Sequence, residues 1–173
     1  RREGSFDLST VAMALLIQCP PRWEVGVRAK RCVRAEPTAS SYRWGCNTRI
    51  RLQGRTGWLI LLLIEHWRNC FAGLRLPTPD DVEFATLLDR YSESHRAYHT
   101  PQHLDDCFGA FETAVGSARS PGAVGLALFY HDAIYDTHAR DNEEKSAALA
   151  RGILADAGAP EPLQTYVADL ILV

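Results

Sequence analysis

Residues 123–136 read AVGLALFYHDAIYD. The apolar run up to Tyr130 suits the inside of a helix, and at 3.6 residues per turn Val124, Leu128, His131 and Asp132 fall along one face. The stretch therefore predicts a core helix whose buried row ends in an imidazole and a carboxylate. Burying these two groups is unfavourable unless something pairs with them, and a divalent cation is a natural partner. The plainer alternative is that His131 and Asp132 bond to each other or to backbone at a helix end, and both readings stand at this level.

Working outward, the helical pattern begins near Leu59. LILLLIEHWRNCFAGL (59–74) reads as an apolar helix ending near Gly73, with His66 packing or facing solvent. In LPTPDDVEFATLLDRYSES (76–94), Thr78 is the expected cap and Pro79 lies in the first turn, with Asp80 and Asp81 at the positive end of the dipole. Val82, Phe84, Ala85, Leu87 and Leu88 form its expected buried stripe. HRAYHTPQHLDDCFGAFETAV (95–115) repeats the start signal at Thr100 and Pro101, and Leu104, Phe108, Phe111 and Val115 recur at helical spacing. Here His95 is expected to be exposed. Beyond a THAR loop, Asp141 and Glu144 match an acidic capping box for a helix from about Asn142, and PEPLQTYVADLILV opens a last helix. No strand alternation, repeat or phosphate-cradling glycine loop is evident, so 58–173 reads as an all-α helical bundle.

The first part of the chain differs. Residues 1–58 carry eleven Lys/Arg against four Asp/Glu, whereas 59–173 carry eight against seventeen. Residues 1–57 show no sustained periodicity and read as an irregular basic extension, not native to the domain; the first residue is Arg1, not methionine, which adds to that expectation. RAKRCVR (28–34) is a basic cluster without the stacking aromatics of a nucleic-acid surface, so no nucleic-acid partner is expected. Two apolar runs, VAMALLIQC (11–19) and WLILLLI (58–64), are well short of the roughly 20 residues of a spanning helix, so no membrane partner is expected. Five cysteines without CxxC spacing point to a reducing, cytoplasmic setting rather than a disulfide framework.

The chemistry concentrates in YHTPQHL (98–104) and FYHD (129–132). His103 is the third residue of a predicted helix and His99 precedes its cap, so two imidazoles can reach one space. His131 and Asp132 arrive from a second helix. Two histidines and one carboxylate suit a hard-to-borderline divalent ion, with positions left for water and substrate.

YHTPQH, FYHDAIYD and DNEEKSA, in this order over about Trp67 to Val173, resemble the motifs of the HD superfamily of metal-dependent phosphohydrolases. The resemblance is to a small bacterial group that runs YHN/T-x-x-H, then FHD-x-x-Y-D, then DNE-x-SA. It implies an HD-domain-like helical bundle around a divalent ion (Mn, Fe, Zn, Mg or Ni) held by His103, His131 and Asp132, with a small phosphorylated metabolite or nucleotide as substrate. Hydrolysis would use metal-activated water, with His99 protonating the leaving oxygen. Asp136 would stand behind the ligands holding a histidine's other ring nitrogen, while Glu143, Glu144 and Lys145 would orient water or contact phosphate. The family's fourth ligand is an aspartate on a later helix, and Asp169 falls too early to be it. The resemblance thus implies a C-terminally truncated domain with poor metal retention and low or no activity. From another class, the same scaffold would serve as a non-catalytic ligand-binding or regulatory module.

Overall fold

A computed structural model describes the backbone of residues 43–44, 48–49 and 54–173, with side chains from residue 57 onward. The apolar run at 11–19 and the basic cluster at 28–34 lie outside the described residues. Strands β1 (Arg43–Trp44) and β2 (Thr48–Arg49) pair antiparallel, Arg43 opposite Arg49 and Trp44 opposite Thr48. Everything from residue 54 on is helix and connection: α1 (Gly54–Gly73), α2 (Asp81–Tyr91), α3 (Pro101–Ala114), α4 (Pro121–Tyr130), α5 (Asn142–Asp156) and α6 (Glu161–Ile171). A 3-10 turn, Val115–Ser117, follows α3. This is the expected all-α bundle. Among the described residues no helix is long and apolar enough to cross a membrane.

The centre of the bundle is α4. Nine of its ten residues are buried, so it is apolar all round, as a helix enclosed by others must be. α1, α3, α5 and α6 all pack against it. Its glycines permit the closest approach: a Cβ on Gly122 would lie 2.6 Å from the Cys70 carbonyl oxygen, and one on Gly125 would collide with Cys70 Sγ. Trp67 of α1 is the aromatic hub, in ring contact with Phe71, Phe84, Phe129 and Tyr130.

Several helix ends differ from the sequence expectation. α2 is capped by Asp80, not Thr78, because the Asp80 carboxylate accepts the Glu83 N–H at 3.0 Å. Its buried face is Phe84, Leu87, Leu88 and Tyr91, which leaves Val82 64% exposed, outside the stripe. Val115 is likewise exposed, having passed from α3 into the 3-10 turn. Asp141 occupies the N-cap of α5 but makes no side-chain cap bond; its Oδ1 takes Lys145 Nζ at 2.8 Å instead, so no capping box forms. At the end of α1, Gly73 stays in the last turn, and Arg75 adopts the left-handed conformation (φ 58°). The Leu76 and Arg75 amides then close a Schellman motif onto the Phe71 and Ala72 carbonyls. Gly158 (φ +76°) plays the same part after α5, where Ala159 and Gly158 donate to Leu154 and Ala155.

α4 also ends earlier than the helix expected through Asp136. His131 is its C-cap, and the side chains of Tyr91 from α2 and of His131 itself take over the last carbonyls. Tyr91 Oη donates to the Phe129 carbonyl at 3.0 Å, and His131 Nδ1 donates to the Leu128 carbonyl at 2.8 Å. Once these acceptors are satisfied by side chains, nothing requires the helix to continue. The following turn is pinned to the start of α5. Ser146 Oγ accepts the Ile134 N–H at 3.0 Å, and Asn142 exchanges two hydrogen bonds with the Asp136 backbone at 3.0 and 2.9 Å.

Candidate metal centre

His99 sits in the turn before α3 and His103 in its first turn, where Pro101 sets the start and Thr100 caps through an extended backbone without a side-chain bond. His131 and Asp132 follow the last residue of α4. The fold brings all four together. His103 Nε2 and His131 Nε2 are 3.2 Å apart, and Asp132 Oδ2 lies 2.9 Å from His131 Nε2 and 3.7 Å from His103 Nε2. His99 Nε2 is 3.5 Å from the same carboxylate oxygen. Exposure is graded across the cluster: the side chains of His103 and His131 are 3% and 2% exposed, those of Asp132 and His99 21% and 25%. Access is therefore from the side of Asp132 and His99.

The donor atoms fit a divalent ion. The triangle of His103 Nε2, His131 Nε2 and Asp132 Oδ2 has a circumradius of about 1.9 Å, so a point about 2.1 Å from all three lies just off its plane. Protonation fits as well. His131 Nδ1 donates to the Leu128 carbonyl, which leaves Nε2 facing a carboxylate oxygen 2.9 Å away. Two acceptors at that distance require a proton or a cation between them. Burial, then the neighbouring His131, push His103 down to about 4, against the pull of Asp132, so its ring is neutral at pH 7 and available as a ligand. Burial raises the Asp132 carboxyl, but the His131 hydrogen bond and the surrounding imidazoles outweigh it and hold the group below its ordinary value. His99 is lowered by burial, with Asp132 opposing.

Two residues that sequence reasoning passed over complete the site. Cys107, one turn after His103 on α3, places Sγ 3.5 Å from His103 Nε2, and His103, Cys107 and His131 form a buried group that could hold a metal ion. The i, i+4 spacing in HLDDC was the available signal. Arg96 is the other. Its side chain is 1% exposed, and Nη1 and Nη2 donate to the Asp132 and Ala133 carbonyls at 2.6 and 3.2 Å while Nε pairs with Glu93 Oε2 at 3.0 Å. The guanidinium lies between the Tyr91 and Tyr135 rings, 5.2 and 5.4 Å from their centroids. It thereby fixes the backbone turn that presents His131 and Asp132.

The remaining expected site residues stand apart from these contacts. Asp136 does not hold a histidine ring: its Oδ1 accepts the His138 N–H at 2.9 Å, and the Leu128 carbonyl holds His131 instead. A backbone acceptor one turn back needs no second element, which leaves Asp136 free to shape the loop. Glu143, Glu144 and Lys145 are exposed at the start of α5, with Lys145 engaged by Asp141. From the DNEEKSA motif, Asn142 and Ser146 make the contacts to the turn that follows the site. His66 packs, stacked 4.5 Å from Phe108, and His95 is exposed, with Nε2 2.9 Å from the Tyr135 carbonyl oxygen. Asp169 is exposed on α6. Comparison of the chain with protein-family models, with curated proteins and with solved structures found no match.

Proposed function

We propose that the protein is a metal-dependent phosphohydrolase of the HD type, acting on a small phosphate ester. The observation that carries this reading is the convergence of His103 Nε2, His131 Nε2 and Asp132 Oδ2 within 3.7 Å of one another, on the side where Asp132 and His99 are partly exposed. The order of the YHTPQH, FYHDAIYD and DNEEKSA motifs supports it. His103, His131 and Asp132 would hold the ion, which when bound polarises water and neutralises charge on phosphoryl oxygens.

The chain's own residues supply the rest. Ligation needs a neutral imidazole at His103 and an ionised carboxylate at Asp132, and both groups are shifted downward, toward those states. His99 stands at the mouth, 3.5 Å from Asp132 and packed against the Tyr135 ring at 4.4 Å, which sets its orientation. Burial lowers the proton affinity of His99 in the free protein, and a bound phosphate would raise it, loading the ring as the acid for the leaving oxygen. Glu143, Glu144 and Lys145 are the exposed polar groups we assign to the approach of substrate and water.

The test is phosphate release from a panel of nucleotide and sugar phosphates, with Mn2+, Fe2+, Co2+, Zn2+ or Mg2+ supplied in turn. Turnover is expected to be low, to need the ion and to vanish in His131→Ala and Asp132→Ala. Equal turnover in those variants, or ligand binding with no dependence on metal, would replace this reading with that of a non-catalytic binding module.

A further inference from the structure

We propose that Cys107 is the fourth protein donor of this site and that it sets the metal preference toward borderline, thiophilic ions such as Zn2+, Co2+ and Fe2+ over Mg2+ and Mn2+. The inference rests on the proposed metal-dependent reading and adds a ligand that neither the His-Asp motif nor the upstream histidine pair contains.

The geometry comes from α3. His103 and Cys107 are four residues apart on one face, and Sγ lies 3.5 Å from His103 Nε2. With bonds of about 2.3 Å to sulfur and 2.1 Å to nitrogen, that separation subtends an angle of about 105° at a shared ion. The His103–His131 separation of 3.2 Å subtends about 100° on the same bond lengths. Both edges meet at His103 Nε2 with near-tetrahedral openings, and all three donor atoms lie within 4.8 Å of one another.

Charge and burial agree. Cys107 is 1% exposed, so it forms the floor of a site whose open side is lined by Asp132 and His99. Two imidazoles with one carboxylate leave a divalent ion one positive charge in excess, whereas adding a thiolate neutralises it, the favourable state for a buried ion. Mg2+ strongly prefers oxygen donors and gains little from sulfur, whereas Zn2+, Co2+ and Fe2+ accept mixed nitrogen and sulfur sets. Four protein donors still leave room for water, because Zn2+ expands to five-coordinate. Cys70, the other buried cysteine among the described residues, stands outside this group, and burial pushes its thiol up to about 12.

Cobalt substitution separates the two levels. Co2+ titrated into the full chain should give visible d–d absorption together with a near-ultraviolet thiolate-to-cobalt charge-transfer band. Cys107→Ser should keep the visible bands, lose the near-ultraviolet band and reduce the Zn2+-over-Mg2+ affinity ratio about tenfold or more, with Cys107→Ala as a second variant should a buried hydroxyl disturb folding. Visible bands without the near-ultraviolet band in the unmodified chain, or a near-ultraviolet band that survives in both variants, would overturn the role of Cys107 and leave the proposed function standing. No cobalt spectrum at all, or one unchanged by His131→Ala, would overturn the metal centre itself.

Discussion

Arg96→Met removes the buried guanidinium that carries the turn between α4 and α5, and its consequence can be worked from the contacts. Two hydrogen bonds from a charged donor to the Asp132 and Ala133 carbonyls are lost, each worth about 1.5–3 kcal/mol. Relief from desolvating the cation offsets part of this, so the net loss is about 3 kcal/mol. Against a typical domain stability of 5–15 kcal/mol, the variant stays folded with Tm lowered by about 10 °C. Arg96→Lys, which can reach one carbonyl but not bridge two, falls between. Glu93→Gln is the control: its partner interaction is half-exposed on the glutamate side, and it should change stability by less than about 1 kcal/mol. Urea denaturation measures the first effect. Co2+ titration measures the second, a 10–100-fold loss of affinity from a displaced His131–Asp132 turn. Arg96→Met unfolding within about 0.5 kcal/mol of the unmodified chain, with cobalt binding unchanged, would refute the clamp.

In metal-free buffer, His103 should make stability fall with acidity. Its folded pKa of about 4 lies below the ordinary 6.5, so the unfolded chain takes up the proton first. The contribution is complete above pH 6.5 and is lost as pH falls from there through 4, by roughly 3 kcal/mol. His99 acts in the same direction, so His103→Gln should make the denaturation-midpoint curve shallower in that window without flattening it. Arg75→Gly should stabilise by about 1 kcal/mol, since it relieves a side chain at φ 58° while preserving the Schellman closure of α1; no gain in thermal unfolding would contradict the assigned backbone. Gly122→Ala should lose about 2 kcal/mol because its Cβ meets the rigid Cys70 carbonyl. By contrast, Gly152→Ala on α5, with nothing within 4 Å, should gain about 0.5–1 kcal/mol in the same assay.

The helical bundle was legible because apolar spacing and Pro-led starts are local signals. Phe84, Leu87 and Leu88, or Leu104, Phe108 and Phe111, reveal their buried faces without reference to any other element. Helix ends were less legible. Asp80 and Thr78 are both good caps, and only the position at which the chain turns selects one. The end of α4 was less legible still: no glycine or proline marks it, and besides the local bond of His131 it depends on Tyr91, 38 positions away along the chain, with Arg96 holding the turn that follows.

From its sequence alone this protein is an all-α domain from about residue 58 with histidines and a carboxylate at the ends of two helices, because periodicity and residue type act over a few residues. Tertiary structure decided which of those groups meet. It brought His99, His103, His131 and Asp132 to one point, kept Asp136 out, and admitted Cys107 and Arg96. Coordination and clamping depend on distances of a few ångströms between atoms from different helices, and those distances arise only when α3 and the end of α4 pack together.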